Sequence, residues 1–138
     1  MESKTIRGRF TVELPVLAPG EAMAGLPFGR RALVKRFEGP LSGSSKGEMM
    51  SWMTATKGSA GYVAIEQVSA TLEGRSGTFV LQHSSTMRRG EPFQSIVVIP
   101  DSGTDGLARI GGAMRIIIAP GGAHEYEFDY AFEEAPGV

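Results

Sequence analysis

Cysteine is missing from all 138 residues, which excludes disulfides, thiol nucleophiles and thiolate metal sites together. Histidine is nearly as scarce. His83 and His124 are the two present, so an all-protein zinc site would need carboxylates to complete it. No metal and no cofactor is expected. Charge of one sign is lacking too: the net charge of -1 leaves no electrostatic footprint for nucleic acid or an anionic membrane. No apolar run approaches the roughly twenty residues that a membrane-spanning helix needs. The opening MESKTIRGRF has no apolar stretch after its charged residues, so no signal peptide is expected and a cytoplasmic location is.

Glycine, by contrast, is abundant. The chain has 19, roughly twice the average share of about 7%. These glycines fall between short apolar runs, which suggests turns and bulges rather than a flexible linker. The length fits one domain over residues 1–138, long enough to bury a core without staples.

Period-two alternation recurs along the chain, the pattern of half-buried strands. Phe10, Val12 and Leu14 share one side of the first such segment, and Leu33 and Phe37 one side of residues 31–38. Residues 60–72 place Tyr62, Ala64, Glu66, Val68, Ala70 and Leu72 together, and residues 77–87 place Phe79, Leu81, His83, Ser85 and Met87 together. Residues 94–99, QSIVVI, read as a strand buried on both faces. Met114, Ile116 and Ile118 line one face before the PGG turn at 120–122. After it, His124, Tyr126, Phe128, Tyr130 and Phe132 point one way and Glu125, Glu127 and Asp129 the other.

GEMMSWMTAT (47–56) fits a helical stripe as well as a strand, and its short glycine-bounded length favours the strand. LSGSSKGEM (41–49), LEGRSGTF (72–79) and LARIGGAM (107–114) echo one another and read as three glycine-dependent turns. Eight short strands without a crossover helix exclude a parallel sheet, and short hairpin connections favour an up-and-down antiparallel barrel over a sandwich.

KGSAGYVAIE (57–66), GRSGTFVLQHSSTM (74–87), VIPDSGT (98–104) and HEYEFDY (124–130) together resemble the bacterial domain-of-unknown-function family 3224. The resemblance implies an eight-stranded antiparallel barrel similar to allene oxide cyclase, whose relatives hold small apolar molecules, and it implies no established activity. One departure stands out: where such proteins read like LAGLSGTM this chain has LARIGGAM, so Arg109 replaces a glycine and Gly111 a serine.

Glu66 and His83 are the candidate catalytic residues, because both fall on otherwise apolar faces. A buried carboxylate is costly unless paired. A two-residue Gly74–Arg75 turn would set them directly opposite, and other even-length loops one diagonal step apart. They could act as an acid–base pair or as a satisfied polar pair fixing the register. Trp52, Tyr62, Tyr126, Phe128 and Tyr130 are the candidate ligand-binding residues of the interior, if they are not simple core. His124 reads as a rim residue meeting water, and PDSGT (100–104) as a turn rather than a cation site. Arg30-Arg31 and Arg88-Arg89 read as solvated loop ends.

Three functions stay open: a barrel binding a small apolar or amphipathic molecule, an isomerase or cyclase using Glu66 and His83, and a structural domain with a filled interior. Free volume around Glu66 separates them. Val63, Ile65 and Ile117 should face outward with no helix to cover them, so a homo-oligomer, a dimer for choice, is expected.

Overall fold

A computed structural model describes residues 2–134, and those residues are all β apart from two single-turn 3-10 helices at Glu21–Met23 and Asp105–Leu107. The strands are β1 (Lys4–Glu13), β2 (Val16–Leu17), β3 (Phe28–Glu38), β4 (Leu41–Met53), β5 (Ala60–Leu72), β6 (Arg75–Arg88), β7 (Glu91–Val98), β8 (Ile110–Ile118) and β9 (His124–Phe132). Sequential strands pair antiparallel from β3 round to β9. β1 then pairs with β9 on one edge and β3 on the other, with Ile6 opposite Phe128 and Phe10 opposite Phe37. That closes the sheet and removes its free edges. β2 is a two-residue addition to β3, so eight strands form the wall, as the alternation predicts.

Local chemistry fixes the registers. β5 and β6 are joined by Glu73–Gly74, with φ values of 46° and 88°. This is the left-handed pair that a two-residue hairpin turn requires, and glycine accepts it without steric cost. The turn lies one residue earlier than Gly74–Arg75, so Leu72 faces Arg75 and Glu66 faces Leu81. The direct Glu66–His83 pairing is thereby replaced by the diagonal one.

Two other expectations change. LSGSSKGEM (41–49) is not a turn but most of β4, with Gly43 and Gly47 inside the strand. Their role is close approach: a Cβ on Gly47 would lie 2.0 Å from the Ile65 carbonyl oxygen. β7 is buried on one face, not both. Ile96 and Val98 point inward while Val97 remains 39% exposed, because no element packs on the outer wall there.

The interior is filled unevenly. At the end where β5 turns into β6, Phe37, Leu41, Leu72, Phe79, Tyr126 and Phe128 interdigitate with almost no exposure, and Leu107 of the second 3-10 helix plugs the end. Each such buried side chain contributes on the order of 1.5–3 kcal/mol. At the opposite end the wall is less tightly sewn. A single register pair, Val97 with Ala113, joins β7 to β8 among the described residues, and the Ile116 N–H donates to Gln94 Oε1 at 2.9 Å.

Candidate functional site

Where the packed half of the barrel ends, its interior turns polar. Glu66 of β5 projects from the inward set of Ala64, Val68 and Ala70 and is fully buried. Lys35 Nζ of β3 donates to Glu66 Oε1 at 3.0 Å, and His83 Nε2 of β6 lies 3.0 Å from the same oxygen. Ser45 Oγ of β4 donates to Oε2 at 2.9 Å. Three strands, β3, β4 and β6, therefore each give one side chain to the carboxylate carried by β5.

Burial pushes the Glu66 carboxyl up, but the hydrogen bond from His83 and the Lys35 ammonium outweigh it and hold the group below its ordinary range. The carboxylate is then an acceptor at both oxygens, so His83 donates through Nε2–H. Nδ1 makes no hydrogen bond to a described residue. The Lys35 ammonium also rests 4.9 Å from the centre of the Phe10 ring, a favourable cation–π contact.

Above this floor the barrel interior opens into a cavity. A cavity of about 230 Å³ is walled by Phe10, Leu33, Met49, Tyr62 and Ile116, among others, with Lys35 and His83 at its base. A wider cleft of about 630 Å³ adjoins it across Met49, Tyr62 and Gln94, and runs between the β4–β5 loop and the β6–β7 hairpin. Apolar Met53, Met87 and Phe93 stand exposed around that cleft. Ser85 belongs to its wall, and its hydroxyl is buried with no hydrogen-bond partner among the described residues.

The candidates named from sequence separate here. Glu66 and His83 come together, and Tyr62 lines the cavity with its ring centre 6.3 Å from that of His83. Trp52 does not line it. β4 presents its odd-numbered residues inward, so Trp52 falls on the outer face and is 40% exposed. Tyr126 and Phe128 are core of the packed half, Phe128 stacked on Phe79 and the Tyr126 hydroxyl accepting from Leu41 N–H and donating to Glu38 O. Tyr130 sends its hydroxyl to Glu73 at the closed end, away from the cavity. Its phenol is pushed up to about 12, by burial first and then by the Glu73 carboxylate. His124 borders the cavity near its mouth, with its ring 5.3 Å from that of Phe10.

PDSGT forms a turn. Ser102 Oγ accepts from Val80 N–H and Thr104 Oγ1 from Thr78 N–H, and no cluster of metal-ligating side chains occurs among the described residues.

Lys35 and Ser45 went unnoticed in the sequence. The parity that places Leu33 and Phe37 inward also places Lys35 inward, and a lysine between two core positions was the available signal. Ser45 sat in a stretch read as a turn and so had no face assigned.

Residues 6–130 match the family described as a protein of unknown function, DUF3224. Among solved structures, the crystal structure of a DUF3224 protein of unknown function from Shewanella oneidensis MR-1 is similar, with a TM-score of 0.91 and 45% identity. The match covers 97% of this chain and 100% of that one. No curated protein matches the chain.

Proposed function

We propose that this chain, which belongs to the DUF3224 family, is a binding barrel for a small apolar or amphipathic molecule. One observation carries the reading: the barrel is packed in one half and hollow in the other, with buried charge at the boundary. A simple structural barrel of this size can fill its interior with side chains. Here the cavity and its adjoining cleft fall in the range usual for small-molecule sites, apolar walls with a few convergent polar groups. The ligand's apolar body lies among Phe10, Met49 and Tyr62, and its polar end meets Lys35 and His83. The unpartnered Ser85 hydroxyl offers a second polar contact.

Native mass spectrometry of freshly purified protein, together with thermal shift in the presence of butylbenzene, tests this. A co-purified molecule or a rise in melting temperature is expected, and Ala64→Leu, which adds volume to the cavity wall, should abolish the rise. A chain that carries nothing and gains no stability from the hydrocarbon would overturn the reading.

A homodimer belongs to the same proposal. Val63 and Ile65 are 47% and 56% exposed on the outer wall, and Met50, the register partner of Val63, extends the patch. Ile117 is half-buried and adds little to it. Contiguous exposed apolar residues of this kind usually meet a partner. A cytoplasmic setting completes the proposal, supported by a chain without cysteine to use in an oxidising compartment.

A further inference from the structure

The polar floor is layered, and the layering assigns different roles to Glu66 and His83. Lys35 and His83 belong to the cavity wall, whereas Glu66 does not. Both oxygens of Glu66 are occupied, Oε1 by Lys35 and His83 and Oε2 by Ser45. A general base needs a free lone pair within reach of the proton it takes. Glu66 has none directed at the cavity. His83 lines the cavity, and with its Nε2–H committed to the carboxylate, Nδ1 is the ring nitrogen left to accept a proton. Lys35 has three N–H donors and gives one to Glu66, so donors remain for an oxygen in the cavity.

Charge narrows the ligand class. Lys35 and Glu66 balance each other in a buried site. An anionic head would add an uncompensated charge where desolvation is expensive. A neutral oxygen acceptor adds none.

Resting on the binding reading above, we infer that the cavity takes a neutral, apolar ketone, saturated or β,γ-unsaturated, and moves a proton at the carbon beside its carbonyl. The carbonyl oxygen sits on the Lys35 ammonium. His83 Nδ1 removes the α-hydrogen; the C–H electron pair becomes the carbon–carbon double bond, and the carbonyl π pair moves to oxygen. Lys35 holds the resulting enolate oxygen, in the manner of a preorganised oxyanion site. The imidazolium formed at His83 is held by Glu66, which is a positioning residue for both partners. When the imidazolium proton trades with solvent before it returns to the same carbon, the α-hydrogen is exchanged. In a β,γ-unsaturated ketone, return of the proton at the γ-carbon moves the double bond into conjugation. Atoms and electrons balance without an oxidant or a cofactor.

Benzylacetone in deuterated buffer is the probe, with butylbenzene as its carbonyl-free counterpart. Proton NMR should show that wild-type protein accelerates loss of the benzylacetone α-hydrogen signals, and excess butylbenzene should suppress the acceleration by occupying the cavity. His83→Gln, whose amide can still donate to Glu66, should lower the catalysed rate by roughly a hundredfold or more while benzylacetone still binds. Exchange that persists under excess butylbenzene would belong to surface amines and overturn the assignment. Benzylacetone that binds wild-type protein without accelerated exchange would overturn the proton transfer and leave the binding reading intact. Failure of both compounds to bind, in protein that carries no co-purified molecule, would remove the binding reading and this proposal together. The wild-type measurement decides the matter even if the variant does not fold.

Discussion

Lys35 and Glu66 form an ion pair across an intervening strand. Lys35 lies on β3 and Glu66 on β5, and β4 runs between them with Ser45 opposite Lys35 and Gly47 opposite Glu66. The contact at 3.0 Å exists because β4 turns small residues inward at that level. A Cβ at Gly47 would approach the Glu66 Cβ to 2.9 Å, closer than side chains tolerate. Ser45 adds a hydrogen bond while staying short. The sequence SGSSKG is thus the clearance through which one buried charge reaches the other.

Breaking this pair on one side should be far worse than removing it altogether. Glu66→Gln leaves the Lys35 ammonium buried without its counter-charge and should destabilise the fold by about 3–5 kcal/mol. Replacing Lys35 with Met and Glu66 with Leu together removes both charges, and much of that loss should return. Urea unfolding of the two variants checks this. A double variant as unstable as the single would mean that the hydrogen-bonded network, not the charge balance, holds this level of the barrel.

Strand faces were the most legible feature of the chain. Tyr62 to Leu72 and Phe79 to Met87 alternate cleanly, so the inward placement of Glu66 and His83 follows from parity alone. The register did not follow, because Glu73 takes a positive φ and shifts the turn by one residue. Nor did the division of the interior into a packed and a hollow half. Tyr126, Phe128 and Tyr62 all point inward, and only their level along the barrel separates core from cavity wall. That level depends on closure through β1, a pairing between the first strand and the last that no local pattern encodes. Trp52 escapes the parity argument for a different reason: its segment superposes helical and strand periods, and the pattern alone assigns it no face.

Arg109 takes a φ of 67°, in the left-handed region that favours glycine. The turn forms regardless, with Glu133 N–H donating to the Arg109 carbonyl at 3.0 Å. A side chain there costs what glycine would not. Arg109→Gly should therefore leave the fold unchanged and raise its stability by roughly 0.5–1 kcal/mol, less the entropy that glycine restores to the unfolded chain. Thermal unfolding measures the sum, and a clear loss of stability would show that the arginine side chain makes a compensating contribution.

The proposed dimer has its own test. Val63 and Ile65 lie two residues apart on the outward face of β5, beside Met50 of β4. Substituting Lys at both Val63 and Ile65 should place like charges at the centre of the contact and leave the inward set untouched. Light scattering at tens of micromolar should then change from dimer to monomer, with circular dichroism unaltered. A wild-type protein already monomeric at that concentration would dispose of the dimer.

Acid sensitivity should follow from Glu66 with a definite sign. Its carboxyl is held below the ordinary value of 4.5; burial acts upward, and the bond to His83 with the charge on Lys35 acts downward and prevails. A carboxyl depressed in the folded state adds stability above its unfolded value and loses it as pH falls through its folded value. The contribution of Glu66 is therefore complete near neutrality and fades below 4.5. Glu73 of the β5–β6 turn and Glu127 and Asp129 on the outer wall are lowered as well, chiefly by hydrogen bonds from Tyr130, Arg115 and Thr5, so acid loss in the wild type has several sources. The difference between wild type and Glu66→Gln isolates one of them, since all the surface carboxyls are common to both. Denaturant unfolding from neutral pH downward should show that difference steady at first and then shrinking, because a protonated Glu66 is neutral like the glutamine. A difference that stays constant through the acid range would mean that the folded barrel does not lower the Glu66 carboxyl, and a wild type that gains on the variant as pH falls would mean that the carboxyl is protonated in the fold; either outcome would end the charge-balanced floor.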